Sequence, residues 1–428
     1  MKTESILIGA LILGGACVST TPVWAQLDTV ALQAALDQSL ASADNAGATG
    51  GAVAIVRDGQ VLWHGQSGVV ARGSATPVDA STLFAYGSTG KMVTATLVLQ
   101  AAERGELSLE TPINDYLTRG GGAAVPGGDA VTVRQLLNHT SGYPTYEYDP
   151  VVQAKLFDQD YAWTRAEVLA SITTAPTPGS FVYSNNNFVL LGEILERATG
   201  RTYGQLYQSG IAGPLGLTRS FVEFGSAPRD TFAQGVWKLP PELLDGAEIA
   251  AFDLTAGVPT SLYGAVFADS PVAGNAADGA LFLDALVGRA NEFDGVTIPD
   301  GALLTGSTLV DMLTPGAEGS GYGLGINVDT DGVNFAFGHP GGWLGFSAEA
   351  FYFSQWDISV VTLANYQNGA AGPHPASFLL RDVVGAYAAG AAIPEPASAA
   401  ALAAGAVACV AVLRRPKRVS KVISANGR

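Results

Sequence analysis

From Met92 to Leu99 the chain carries no charge, no glycine and no proline. Met92-Val93-Thr94-Ala95-Thr96-Leu97-Val98-Leu99 reads as a buried helix, stopped near Gly105. A helix of this kind needs a sizeable core around it. At its start stands Ser88-Thr89-Gly90-Lys91, the one place in the chain where a serine precedes a lysine by three residues. Positions i and i+3 share a helix face, so the Ser88 hydroxyl and the Lys91 ammonium would meet. A serine hydroxyl is a weak nucleophile without an adjacent base, and a lysine drawn out of water can supply one. The helix N-terminus favours developing negative charge. The same pair also fits an N-cap with a solvated lysine. Lysine is scarce, however: only Lys91, Lys155 and Lys238 lie between the chain termini.

The two ends read as address labels. Residues 1–25 hold Lys2, the apolar run Ile6 to Ala16 and the small residues Val23 and Ala25 before Gln26, the pattern of a cleaved secretory signal. At the other end, Pro394-Glu395-Pro396 precedes the apolar segment 398–413 and the basic cluster Arg414-Arg415-Pro416-Lys417-Arg418. Residues 393–428 resemble the PEP-CTERM sorting signal of Gram-negative bacteria, which implies an exosortase as partner and membrane attachment through the C-terminal segment before processing. An ordinary C-terminal anchor predicts the same topology without cleavage. The expected location is the periplasm, anchored at the inner membrane, and then the cell envelope or the exterior.

Both cysteines, Cys17 and Cys409, fall in these terminal segments, so the region between has no disulfide and no cysteine-ligated metal. Removing seven basic and two acidic terminal residues from 22 and 38 leaves 15 and 36, a net of about −21 for residues 26–392. That balance argues against nucleic-acid binding. The four histidines have no metal-ligand spacing, so no metal or other cofactor is expected.

Residues 26–392 form one large domain or two lobes. Gly51 to Gly65 reads as a hairpin around Asp58-Gly59. Helical patches follow at 133–139, 165–172, 188–198 and 276–287, with loop-rich stretches at 173–180 and 224–241. Strands return at 323–328, 334–337, 348–353 and 358–364, before a final helix over 377–388. Strands at both ends with helices inserted between them predict an α/β (α+β) fold: an antiparallel sheet flanked by helices, plus a mostly helical lobe.

Two further motifs belong with Ser88. Tyr183-Ser184-Asn185 directly precedes a strong helix, and a nearby lysine charge would lower the Tyr183 phenol toward use as a base. His339-Pro340-Gly341-Gly342 follows Phe335-Ala336-Phe337, placing His339 on or beside an edge strand, where glycines let a substrate or a backbone N–H approach. With Phe84-Ala85-Tyr86-Gly87, Gly105-Glu106-Leu107-Ser108-Leu109, Leu136 to Gly142, Pro214-Leu215-Gly216-Leu217 and Tyr322-Gly323-Leu324-Gly325, the chain from about Gly47 to Tyr387 resembles the serine β-lactamase-like hydrolases: class C β-lactamases, D-alanyl-D-alanine carboxypeptidases and related penicillin-binding-protein-like esterases.

The resemblance implies that Ser88 is acylated and that Lys91 and Tyr183 share the proton work. It implies that Asn185 hydrogen-bonds Lys91 and the substrate amide, and that His339 and Gly341 take the place of a Lys-Thr-Gly motif, with His339 electropositive or proton-handling. The backbone N–H groups of Ser88 and Gly342 would form the oxyanion hole. Two departures bear on substrate. His339 replaces lysine, and Pro340 replaces the threonine whose hydroxyl binds a substrate carboxylate. A short ester or amide is therefore expected ahead of a D-alanyl peptide or a β-lactam, with Trp343 and Phe346 as an apolar rim. His139 is expected to cap helix carbonyls, and His64 and His374 have no recognisable partners. An α/β-hydrolase is excluded, since no serine has glycines at both −2 and +2. The non-enzyme alternative is a surface or matrix protein on a degenerate hydrolase scaffold.

Overall fold

A computed structural model describes residues 27–155, 161, 163–222, 231–238, 248–250, 267–270, 272–288, 301–331, 334–343, 345–369 and 374–391. Residues 1–25 and 393–428, read from the sequence as a secretory signal and a sorting signal, lie outside the described residues.

The hairpin forms as β1 (Gly50–Arg57) and β2 (Gln60–Gly68). Asp58 (φ +52°) and Gly59 (φ +70°) make its two-residue turn, the left-handed pair that matches strand twist. The remaining long strands are β3 (Asn327–Thr330), β4 (Phe335–Trp343), β5 (Phe346–Phe353) and β6 (Ile358–Ala364). They complete an antiparallel sheet of order β2-β1-β6-β5-β4-β3, with β1 and β6 paired from Gly51↔Ala364 to Val56↔Ser359. The N- and C-terminal parts of the domain thus meet at its centre.

Alternation along β1 divides two cores. Val53 and Ile55 face a layer made by α1 (Thr29–Leu40) and the C-terminal helix α5 (Pro375–Ala391), through Leu32, Leu36, Leu379 and Val383. Ala52, Ala54 and Val56 face the larger core. That core holds α2 (Lys91–Glu103), α3 (Asn185–Thr199) and α4 (Ala276–Val287). The uncharged run makes α2, and Lys91 to Ala101 are all buried within it.

Several boundaries differ from the sequence reading. No signal marked α1, whose buried apolar contacts are only Leu32 and Leu36 on an otherwise wet surface. Residues 323–326 are a turn, with Gly325 (φ +77°) donating to the Leu137 carbonyl; pairing starts at Asn327. A short strand, Val236–Lys238, lies in the stretch read as loop and pairs in parallel with Tyr366-Gln367. Among the described residues no helix is long and apolar enough to cross a membrane.

Candidate active site

From Thr82 to Ala101 every residue is buried except Ser88. Ser88 lies in a tight 3-10 turn, Gly87–Gly90, that runs directly into α2. Gly87 (φ +55°) opens the turn, and a Cβ there would come within 2.8 Å of the Gly342 nitrogen. On the facing strand, a Cβ at Gly341 would lie 2.0 Å from the Tyr86 carbonyl oxygen. The two glycines therefore let β4 lie against the serine turn, backbone to backbone. Thr89 fastens the contact by donating through Oγ1 to the His339 carbonyl at 3.1 Å. This is possible because β3 covers β4 only from Phe335 to Gly338, leaving the edge from His339 onward open to the turn.

Lys91 is fully buried and its ammonium has three acceptors. It donates to Ser88 Oγ at 3.0 Å, to the Asp269 carbonyl at 3.2 Å and to the Asp269 carboxylate. Asp269 is equally buried, and its other oxygen accepts from the Tyr146 hydroxyl at 2.8 Å. Asp269 thus holds Lys91, one of the two contacts expected of Asn185. The Asn185 side chain turns instead to Glu147, and its own Oδ1 is buried without a hydrogen-bond partner.

Tyr183 lies beside the same pair, its ring centroid 5.2 Å from Lys91 Nζ, with Ser88 close enough to act on the ionisation of its phenol. The expectation that lysine charge would lower this phenol meets a counter-effect. Burial and the Asp269 charge push Tyr183 well above the usual tyrosine range, with the Ser88 hydrogen bond opposing them. The Lys91 charge is matched by Asp269 before it can act on the phenol. Tyr183 is therefore a neutral phenol at rest.

His339, expected to be electropositive or proton-handling, is buried on β4 and carries no charge there. Burial and the Lys91 charge bring its pKa down to about 3, so the ring is neutral. Its Nδ1–H donates to the Pro340 carbonyl at 2.5 Å, leaving Nε2 to accept from the Tyr322 hydroxyl at 3.0 Å. Trp343 and Phe346 form no rim, since both are buried in the main core. Large exposed apolar side chains stand elsewhere, including Tyr148 and Val182, each beside a site residue.

His139, expected to cap carbonyls, is a platform for Tyr183. It adopts φ +58° at the end of the helix Val133–Leu137, and its ring lies 4.2 Å from that of Tyr183. Its Nδ1 accepts from the Ser184 backbone N–H at 3.2 Å, fixing the segment that carries Tyr183 and Asn185. Gly342 has Gln367 and His374 on its other side, with a Cβ there 3.2 and 3.5 Å from their nitrogens. Among the described residues no three His, Cys, Asp or Glu side chains are grouped to hold a metal ion.

A lysine buried beneath a serine at a helix start, a tyrosine ring beside it and a glycine-lined strand alongside come together in one arrangement. Residues 32–384 match the Beta-lactamase family model. The chain belongs to the beta-lactamase family. Within that family it is 31% identical over 248 residues to the esterase EstB of Burkholderia gladioli, covering 54% of this chain and 62% of that one. The structure of a D-stereospecific amidohydrolase from Streptomyces sp. superposes with a TM-score of 0.63 at 29% identity, over 84% of this chain and 98% of the other. D-amino acid amidase from Ochrobactrum anthropi SV3 superposes with a TM-score of 0.67 at 23% identity, over the same shares, and speaks to the fold. The chain spans less than two thirds of EstB, so that protein's activity is not transferred here on likeness alone.

Proposed function

We propose that this beta-lactamase family member is a serine hydrolase that forms an acyl-enzyme on Ser88, acting on short esters or amides. The observation that carries the reading is Ser88 alone reaching the surface from a buried segment, its Oγ accepting from the buried Lys91 at 3.0 Å with the Tyr183 ring beside that ammonium. In acylation the Ser88 oxygen attacks the substrate carbonyl while its proton passes to the Tyr183 oxygen. Tyr183 gives its own proton to the leaving group, so it never holds a full negative charge, which suits a phenol whose ionisation is disfavoured. The Lys91 ammonium, held by Asp269, stabilises negative charge building on Ser88 Oγ. The backbone N–H groups of Ser88 and Gly342 would receive the carbonyl oxygen, and water would deacylate by the reverse relay.

Neutral His339 and the missing hydroxyl at Pro340 disfavour substrates that must be held by a carboxylate. The relatives named as esterase and amidohydrolase fit this order of substrates, with D-alanyl peptide or β-lactam hydrolysis second. Labelling with a fluorescent phosphonate, together with rates on p-nitrophenyl butyrate, nitrocefin and a D-Ala-D-Ala peptide, tests it. The expected result is Ser88-dependent labelling with the ester turned over fastest. No label and no ester hydrolysis would favour the non-enzyme scaffold; faster nitrocefin turnover would reverse the substrate order.

We also propose that residues 1–25 direct export and that residues 393–428 are a sorting signal removed by an exosortase. A C-terminal epitope tag should be lost from the envelope-associated protein, and its retention in the mature protein would leave an ordinary anchor.

A further inference from the structure

Asp269 reaches Lys91 from residues 267–270, a turn with no helix or strand of its own. Its place therefore depends on what grips that turn. Helix α2 does so twice from one face. Lys91 donates to the Asp269 carbonyl at 3.2 Å, and Thr94, three residues on, donates through Oγ1 to the preceding carbonyl, that of Ala268, at 2.6 Å. Thr94 and Ala268 are both fully buried. A threonine inside a helix ordinarily returns its hydroxyl to a carbonyl of the turn before it. Thr96 does this, donating to the Met92 carbonyl at 2.7 Å. Thr94 spends its one proton outside α2 instead.

The same turn is held from a second side by Tyr203, at the start of the helix Tyr203–Tyr207. Its hydroxyl lies 2.7 Å from Thr94 Oγ1. A carbonyl only accepts, so the proton order runs from Tyr203 to Thr94 to Ala268. Burial pushes the Tyr203 phenol well above the usual tyrosine range, so it keeps the proton it donates. The Tyr203 ring also packs edge-on against Phe267, with centroids 5.6 Å apart. The Arg165 guanidinium covers the Phe267 ring at 3.7 Å and is itself held by Glu193 and Glu196 of α3. Glu196 further accepts from the Tyr203 backbone N–H at 2.8 Å. On α3, a Cβ at Gly192 would lie 2.3 Å from Phe267 Cζ and 2.5 Å from Ala268 Cβ, so the turn rests against bare helix backbone.

We propose that Thr94 and Tyr203 are positioning residues for the hydrolytic site: the chain Tyr203–Thr94–Ala268 aims the Asp269 carboxylate at Lys91 and so fixes the ammonium beneath Ser88. The catalytic part of this assignment rests on the serine hydrolase reading; the grip on the turn does not. Both residues act through Asp269. A displacement of about 1 Å at a group that serves the reacting atoms costs up to about 100-fold in rate, which makes a hydroxyl at this distance from the chemistry matter.

Two measurements test the role. In steady-state kinetics on p-nitrophenyl butyrate, Thr94→Val keeps the shape and loses the hydroxyl, so kcat should fall about tenfold, the worth of one buried hydrogen bond, with KM unchanged. Thr94→Ser restores the hydroxyl and should recover most of that loss. Tyr203→Phe keeps the ring on Phe267 and should lower kcat by a smaller factor. An unchanged kcat in Thr94→Val, a loss carried by KM, or a Thr94→Ser enzyme no better than Thr94→Val overturns the proposal. Calorimetric melting reads the grip without activity. Thr94→Val should lower the melting point of the parent by more than it lowers that of Lys91→Met, where Asp269 has no ammonium to meet. Equal losses in the two backgrounds overturn the grip. If the parent neither hydrolyses the ester nor takes a phosphonate label, the hydrolase reading fails while the melting cycle still decides how the turn is held.

Discussion

Asp269→Asn is the perturbation that most directly tests how Lys91 is held. Lys91 and Asp269 expose 0% and 1% of their side chains, so neither charge has water to fall back on. The ammonium's acceptors are the Ser88 oxygen, the Asp269 carbonyl and the Asp269 carboxylate, and only the last carries charge. An asparagine keeps the shape and can still accept one hydrogen bond, but it leaves a buried cation uncompensated. Removing one partner of such a pair costs about 3–5 kcal/mol. For a domain of this size, at about 2 °C per kcal/mol, that is a melting point lowered by roughly 6–10 °C. Lys91→Met should cost a comparable amount, because it leaves the Asp269 carboxylate without a counter-charge, served by the Tyr146 and Ser270 hydroxyls. The double variant has no buried charge at all, so its loss should fall well short of the sum, with an interaction energy of about 2–3 kcal/mol in a double-mutant cycle. Calorimetric melting of the four proteins gives all the numbers. Additive losses, or an Asp269→Asn protein within about 0.5 kcal/mol of the parent, would refute the buried pair as the support of the site.

Three other outcomes follow from the geometry. Gly341→Ala places a Cβ 2.0 Å from the Tyr86 carbonyl, so β4 must retreat from the serine turn; phosphonate labelling should fall at least about tenfold, as for loss of an oxyanion donor, with the circular dichroism spectrum retained. Glu349 is 5% exposed between β5 and α5, and burial raises its pKa to about 7 against the Ser377 hydrogen bond, so the folded chain holds a proton there that the unfolded chain releases near pH 4. Stability from this group falls as pH rises from about 4 to about 7, by about 3 kcal/mol in all, and Glu349→Gln should melt higher than the parent at pH 8 and not at pH 4. His339 has the opposite sign: its folded pKa is about 3, so the unfolded chain binds the extra proton and stability rises with pH from about 3 to about 6.5. That single group contributes a slope of about 1.4 kcal/mol per pH unit in this window, which His339→Gln should remove from melting curves taken between pH 4 and pH 6.

Much of the frame was legible in the sequence because its local signals were consistent. The Asp58-Gly59 hairpin, the uncharged α2, the stop at Gly200 (φ +67°) and α4 at Ala276–Val287 each follow from turn chemistry or apolar pattern. The serine, the lysine and the tyrosine were visible as motifs because each precedes or begins a helix. Their supporting partners were not. Asp269 lies 178 residues beyond Lys91 in a short turn with no pattern of its own, and only the fold brings its carboxylate under the ammonium. The Tyr183 phenol was expected to be lowered by lysine, and it is pushed up instead, by burial first and then by the charge of Asp269, a carboxylate that no motif revealed. His139 was read through its place at a helix end, whereas its positive φ turns the ring away from the helix and under Tyr183. Glu147 carried no signal at all, as one acid among many in an acidic chain.

The two departures at β4 have a common cause. A lysine at position 339 would be a second buried cation close to Lys91, whose own counter-charge is Asp269. Histidine can stand there neutral because its two nitrogens are satisfied by Tyr322 and by the carbonyl of Pro340. Proline, in turn, fits a strand only where its missing N–H leaves no ladder bond unmade, and β3 has ended at Gly338, two residues before it. The edge that opens β4 to the serine turn is thus the same edge that admits Pro340. His339→Lys alone would not rebuild a carboxylate clamp: it would add an unpaired charge to a 2%-exposed position and leave the hydroxyl still missing. With Lys91 held by Asp269 and His339 neutral, these residues offer no spare cation to a substrate carboxylate.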